Sequence, residues 1–221
     1  MPKSKPIPPP RGTGKRLRLG LHQALLDLIV TGKLKGAEKL NEVRLSKQLQ
    51  VSRTPLREAL LHLEREGLVR SDLRRGFTVE PLSAKEVREI YPLLAHLESL
   101  AVRNSAGLLA PVLPELERIN RAFSGVRTPE RARELDTLWH ETLMSQSRNS
   151  RLSAIVENLR LAIRRYEHFY MANAKLIPTS AAQHEEIIAA LRLNDMESAI
   201  AALVQNYTFG MRVLLRKMGE E

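Results

Sequence analysis

Apolar positions recur at helical spacing in two short neighbouring stretches. The first runs from about Glu42 to Leu49, with Asn41 as its cap and Val43, Leu45 and Leu49 as a stripe to bury. A turn at Gln50 and Val51 leads to the second, which Ser52 or Thr54 can cap and whose first turn accommodates Pro55, since a missing N–H there costs nothing. Its inward set is Leu56, Leu60, Leu61 and Leu63, and it ends near Gly67. From Leu68 to Val79, apolar residues flank Asp72, Leu73, Arg74, Arg75 and Gly76, the pattern of a hairpin with a cationic tip. An earlier helix, Leu17 to Val30, places Leu21, Leu25, Leu28 and Ile29 beneath this pair, ends at Gly32, and is followed by a turn at Gly36. Residues 17–80 are thus expected to form a winged helix-turn-helix domain, preceded by a disordered basic arm over residues 1–16.

From Pro81 to residue 221 only helical patterns remain. A capping box at Ser83 to Glu86 opens a helix reaching about Asn104 through Val87, Ile90, Leu94, Leu97 and Ala101, with Pro92 able to bend it. Pro111 and Pro114 precede a short helix from Leu116 to Phe123, and Thr128-Pro129 starts another that reaches about Ser147. A long helix from Arg151 to about Ala174 follows, then one opened by Thr179 or Ser180 and ending near Asn194, and a last one from Asp195 to about Lys217. The expected fold is mostly α, a winged helix-turn-helix plus an all-α antiparallel helical bundle over residues 81–221.

Charge sharpens this division. Residues 1–80 carry 17 Lys and Arg against 8 Asp and Glu, a net of +9, whereas residues 81–221 carry 18 against 17, a net of +1. A basic surface concentrated on the motif-bearing part is what counterion release from duplex DNA requires, and argues against a helical protein-interaction module with an ordinary solvated face. The first turn of the second helix would offer Arg53, Thr54 and Arg57 to base edges, and the arginine tip would hold phosphates or a narrow minor groove. With no cysteine, disulfides, thiolate catalysis and cysteine-bound zinc are excluded. The N-terminus lacks the apolar core of a signal peptide and no apolar run approaches a membrane span, so the expected location is the cytoplasm, with no membrane partner.

Candidate chemistry in the bundle is sparse. Asp136 and His140 stand four apart on one helical face, and His184 lies on a different helix, a donor set suited to zinc and similar divalent ions. By spacing alone a surface pair and a satisfied core histidine are the ordinary alternatives. His22, His62, His96 and His168 show no constellation and are assigned no chemistry. Glu-x-x-His and His-Glu-x-x-His motifs, a phosphate-binding glycine loop and a nucleophile elbow are all missing, which leaves a mononuclear metal site as the remaining catalytic possibility.

The run from Gly32 to Gly36, through Val51-Ser52-Arg53-Thr54-Pro55-Leu56-Arg57-Glu58-Ala59-Leu60, to Glu66-Gly67-Leu68-Val69 and Gly76 closely resembles winged-helix transcription regulators of the GntR family. The second domain resembles the FCD effector domain of the FadR-like branch through Leu97-Glu98, Asp136 and His140, Asn149, His184 and Asn194-Asp195. The resemblance implies a homodimer whose helical domains sense a small metabolite, often an organic acid, and alter how two winged heads sit on a palindromic operator. It places Ser52, Arg53, Thr54 and Arg57 on DNA, with Arg75 and Gly76 at the wing, where Arg74 of the cationic tip is a further candidate DNA contact. Val43 stands where the family commonly has an arginine, and Arg44 is the neighbouring substitute. Asp136, His140 and His184 match three positions of the family's metal site, and Asn206 stands at the fourth, usually histidine. Leu94 stands where many relatives place an arginine suited to an acidic effector, leaving Arg160, Arg164 and Arg165 as alternative cations. The function expected is a DNA-binding regulator, a repressor, modulated by a metabolite beside a divalent metal ion. The alternatives are a DNA-binding protein whose second domain only dimerises, and a metal-dependent enzyme.

Overall fold

The computed structural model describes residues 15–72, 76–171 and 176–220, which fall into two units, Met1–Leu82 and Ser83–Glu221. In the first unit, α1 (Lys15–Val30) starts two residues earlier than its apolar pattern suggested and buries Leu21, Leu25 and Leu26 completely or nearly so against α3 (Arg53–Arg65). Between them lies α2 (Glu42–Leu49). The Asn41 side chain accepts the Arg44 N–H at 2.9 Å, and Gln50 ends the helix in the left-handed region at φ 54°. Helix α3 buries Leu56, Ala59, Leu60 and Leu63, the i, i+3, i+4, i+7 arc of one helical face.

Two residues expected in this core are exposed instead. Val43 precedes Leu45 by two positions, about 200° around the helix, so burying Leu45 and Leu49 turns it outward. Leu61 lies about 100° beyond Leu60 and leaves the arc of α3 in the same way. Ser52 occupies the N-cap position of α3 without a side-chain capping bond.

The wing is an antiparallel pair, β1 (Val69–Asp72) and β2 (Gly76–Val79), in register from Val69 opposite Val79 to Asp72 opposite Gly76. Gly76 has φ +80°, a conformation in which a Cβ is strained. Residues 37–40 add a rung the sequence did not announce: Leu40 N–H donates to Phe77 C=O at 2.8 Å and Val79 N–H to Glu38 C=O at 3.0 Å. Of the arm expected over residues 1–16, Lys15 and Arg16 belong instead to α1, while residues 1–14 and the tip residues Leu73, Arg74 and Arg75 lie outside the described residues.

The second unit is helical throughout its described residues: α4 (Ala84–Asn104), a 3-10 turn (Ala110–Val112), α5 (Leu113–Ser124), α6 (Pro129–Met144), α7 (Ser150–Met171), α8 (Ile177–Arg192) and α9 (Met196–Lys217). Ser83 caps α4 by accepting the Glu86 N–H, but the box is half formed, because the Ser83 N–H donates to the Tyr166 hydroxyl at 2.9 Å and Glu86 pairs with Arg165. Helix α4 continues through Pro92 without interruption. Helix α8 opens at Ile177 rather than Thr179, since Pro178 fits the first turn, and α6 stops at Met144, short of Ser147. The predicted end of α7 at Ala174 falls outside the described residues. Helix α9 packs along α4 and α8, while α7 packs on α4 and α6, and α5 on α6 and α8. This arrangement turns one face of each of α4 to α9 into a shared interior, and polar groups collect in it.

Candidate functional site

On the first unit, Arg53, Thr54 and Arg57 from the N-terminal half of α3 line a concave face of about 560 Å³ together with Gly76 of the wing and the outward Val43 and Leu61. Arg57 stands 3.6 Å from Glu42, and Arg44 stands 3.6 Å from Glu38. Both arginines are largely exposed, and pairs this long contribute little and are easily exchanged for a stronger anion. Arg44 does not line the concave face, and Ser52 lies at the start of α3 beside it. The exposed Val43 and Leu61 thus share one concave face with Arg53, Thr54 and Arg57.

In the second unit the sequence-flagged groups converge. Asp136 and His140 on α6 and His184 on α8 each present a ligand-type atom within 4.8 Å of the others. The His140 Nδ1–H donates to Glu98 Oε2 at 2.8 Å, leaving Nε2 as the nitrogen with a lone pair. Asn120 donates its amide N–H to the Ala181 carbonyl at 3.0 Å, which aims its oxygen at His184 Nδ1, 3.2 Å away. His184 Nε2 is then buried without a hydrogen-bond partner, and Asp136 Oδ1 stands 3.6 Å from it. Carboxylate or amide oxygens behind both imidazoles are the usual supporting contacts of metal-ligating histidines.

Electrostatics favours the ligating protonation state of His184. Burial, then the nearby His140 and Arg160, push the His184 imidazole well below its ordinary range, so it is neutral. Burial raises Asp136, with His140 and Arg160 opposing. Burial would also raise Glu98, but Arg160 and His140 outweigh it and hold this carboxyl at about 2. Arg160 Nε donates to Glu98 Oε1 at 2.7 Å and its Nη2 to the Tyr207 hydroxyl at 2.8 Å, so the fully buried Glu98 joins α4, α6 and α7. The Trp139 ring stacks on His184 with centroids 3.9 Å apart and planes 6° from parallel.

Asn206 lines a cavity of about 40 Å³ with Asp136 and His140. Its amide nitrogen donates to Gln183 at 3.0 Å, leaving the amide oxygen as its ligand-type atom. A space of that size holds an ion or a water, not a metabolite. The residues present therefore fit a divalent ion: two imidazoles, one carboxylate, an amide oxygen, and an orphaned buried nitrogen on His184.

A second cavity of about 440 Å³ is lined by Arg160, Arg164, Thr137, Glu141, Glu157 and Glu167, among others. Arg160 and Glu167 line both cavities, which puts the larger space next to the smaller. Burial first, with Asp136 adding to it against Arg160, pushes Glu167 up to about 7. Of the three arginines proposed for an effector, Arg160 and Arg164 reach the larger cavity. Arg165 lines neither; it pairs with Glu86 at 2.7 Å. Leu94 is fully buried in the apolar stripe of α4. Sequence reasoning assigned no site role to Asn120, Glu167 or Tyr207 and did not see Glu98 as a hub, although Glu98 keeps helical phase with Leu94 and Ala101 and could have been read as a buried charge needing a cation.

Comparison with known proteins bears on the whole chain. Residues 17–79 match the family described as bacterial regulatory proteins, gntR family, and residues 89–208 match the FCD domain. The chain is 34% identical over 146 residues to an uncharacterized HTH-type transcriptional regulator, YdhC, of Bacillus subtilis (strain 168), a match covering 64% of this chain and 65% of that protein. This segment spans just under two thirds of YdhC's length. The gluconate operon transcriptional repressor of the same organism is 28% identical over 192 residues, covering 81% of this chain and 77% of the repressor. Among solved structures, E. coli McbR/YncC superposes with a TM-score of 0.76 at 23% identity, covering 91% of this chain and 98% of that one, which shows the fold. The matched families and relatives are regulators, not enzymes. With its winged helix-turn-helix and its FCD domain, the chain belongs to the gntR family of bacterial regulatory proteins.

Proposed function

We propose that this chain is a cytoplasmic transcription regulator, acting as a homodimeric repressor on a palindromic operator, whose DNA affinity responds to a small metabolite bound in the FCD domain beside a divalent ion of the zinc type. Arg53, Thr54 and Arg57 read bases from the concave face, with Ser52 and Gly76 flanking them and Arg44, Arg74 and Arg75 serving phosphates. Asp136, His140 and His184 hold the ion, and Asn206 supplies a weaker fourth ligand. A bound ion would supply a Lewis-acidic position for an anionic oxygen of the effector.

The single observation that carries this reading is the shared wall of the two cavities. Arg160 and Glu167 border both the small space at Asp136 and His140 and the 440 Å³ space large enough for a metabolite. Because Glu98 and Tyr207 already occupy Arg160, Arg164 is the cation left for an organic acid, which would approach the ion from the larger cavity. The repressor-named relative favours repression over activation.

The test is a thermal-shift screen of chelator-stripped and zinc-loaded protein against organic acids, followed by operator binding with and without each hit. A ligand that raises the melting temperature only with zinc and changes operator affinity supports the proposal. Protein that shifts with neither metals nor acids, yet binds operator, would leave the second domain as a dimerisation module. Turnover lost in His140→Ala or His184→Ala would instead mark a metal-dependent enzyme.

A further inference from the structure

Two histidines to which the sequence pattern gave no role meet in the DNA-binding unit. His22 Nε2 on α1 lies 2.8 and 3.1 Å from the two oxygens of Glu66, and His62 Nδ1 on α3 lies 3.0 Å from one of them. The two imidazoles meet edge to face with centroids 4.9 Å apart. One ligand-type atom from each residue lies within 4.8 Å of the others. His62 and Glu66 are four apart at the end of α3, whereas His22 arrives from a separate helix, so this is a cross-helix cluster.

We propose that His22, His62 and Glu66 form a second divalent-cation site, of zinc-type chemistry, that ties α1 to the C-terminal turn of the DNA-reading helix. Two imidazole nitrogens and one carboxylate are the His₂Glu donor set that zinc takes in three-ligand sites, with water in the fourth position. The His62 side chain is 61% exposed, while those of His22 and Glu66 are mostly buried, which gives the site one open side for that water and for entry of the ion. Bonds of about 2.0–2.1 Å in a tetrahedron need donor atoms roughly 3.3 Å apart, so small side-chain rotations suffice to close the cluster on an ion.

In the cation-free form Glu66 accepts an N–H from each ring. A neutral imidazole that moves its proton to the other ring nitrogen, through solvent, presents a lone pair at the same place, so the cation takes the position of the two bridging protons. One negative charge from Glu66 partly neutralises the ion. The α3 C-terminus adds the negative end of its helix dipole, which favours a cation at this end and not at the Arg53 end. Since the donors come from two helices that meet only in the folded unit, binding stabilises the folded form.

The site is independent of the one in the FCD domain, and the chain distinguishes them. Its one tryptophan, Trp139, stacks on His184, so tryptophan fluorescence reports the FCD site alone. Full-length protein stripped with chelator is titrated with zinc chloride by calorimetry, for wild type, His62→Ala and Glu66→Gln, with circular dichroism showing that each is folded. The expected result is one more zinc per chain in the wild type than in either variant, a zinc-dependent rise in melting temperature that shrinks in both, and the same Trp139 response in all three. Should Trp139 ignore zinc in every protein while this difference persists, the FCD metal reading fails and the present one stands. Equal zinc stoichiometry in wild type and both variants overturns the proposal.

Discussion

Replacing Glu98 with glutamine tests whether the polar interior of the FCD domain is organised around one charge. Glu98 is fully buried and takes Arg160 at 2.7 Å on one oxygen and His140 at 2.8 Å on the other. Glutamine keeps the shape but removes the charge, and its NH₂ must face one of these two donors. The result is a buried guanidinium without its hydrogen-bonded counter-charge, and breaking a buried pair in this way costs about 3–5 kcal/mol. The carboxyl's own titration gives an independent figure: the fall from the usual 4.5 to about 2 corresponds to about 3 kcal/mol. Because this pKa is lowered in the folded state, the contribution is complete above about 4.5 and is lost as the pH falls toward 2. Urea unfolding of the full chain in chelator at neutral pH should therefore show the FCD transition of Glu98→Gln destabilised by about 3 kcal/mol, while the DNA-binding unit keeps its own transition as an internal control. The double variant Glu98→Leu with Arg160→Met, which replaces the pair by apolar groups of similar volume, should regain most of the loss. A loss under about 1 kcal/mol in Glu98→Gln, or a double variant no better than the single one, would refute the view that Arg160 and Glu98 compensate each other in a dry interior.

Three further outcomes follow from the sites. Arg57→Ala should weaken operator binding by about 1–3 kcal/mol in a gel-shift or anisotropy titration, with a smaller loss on random DNA; equal losses would mean that Arg57 only grips phosphate. Asn206→His restores an imidazole at the edge of the small cavity and should tighten zinc about tenfold or more, read from the fluorescence of Trp139; an unchanged affinity would place Asn206 outside the ligand set. Gly76→Ala forces a side chain onto φ +80° and should destabilise the DNA-binding unit by about 1–2 kcal/mol in urea, since the strain is in the backbone and not in a clash, the nearest contact being an ordinary 3.6 Å to Glu42.

Helical phase made most of this molecule legible, and it carried more than the sequence reading took from it. The stripe of α4 is Val87, Tyr91, Leu94, Glu98 and Ala101, and that of α7 includes Val156, Arg160 and Ile163, all buried. Glu98 and Arg160 each occupy a core position of their own helix, so two opposite buried charges were announced in the chain before any contact was known. Phase also separates Arg160 from Arg164, which lies only partly buried on the flank of α7. Phase does not give the partner. That Glu98 meets both Arg160 and His140, or that His22 meets His62 and Glu66, depends on which helices pack, a tertiary fact with no local trace. The misplaced Val43 and Leu61 show the opposite limit. Apolar residues in short helices look like core, yet these two fall off the buried arcs and line the face with Arg53 and Arg57, as the proposed base-reading role of that face allows. An apolar residue out of phase on a basic face and a charge in phase on an apolar stripe are therefore the same kind of signal: in each case the helix gives up packing energy, which directs attention to a partner, found for Glu98 in Arg160 and His140 and proposed for Val43 and Leu61 in DNA.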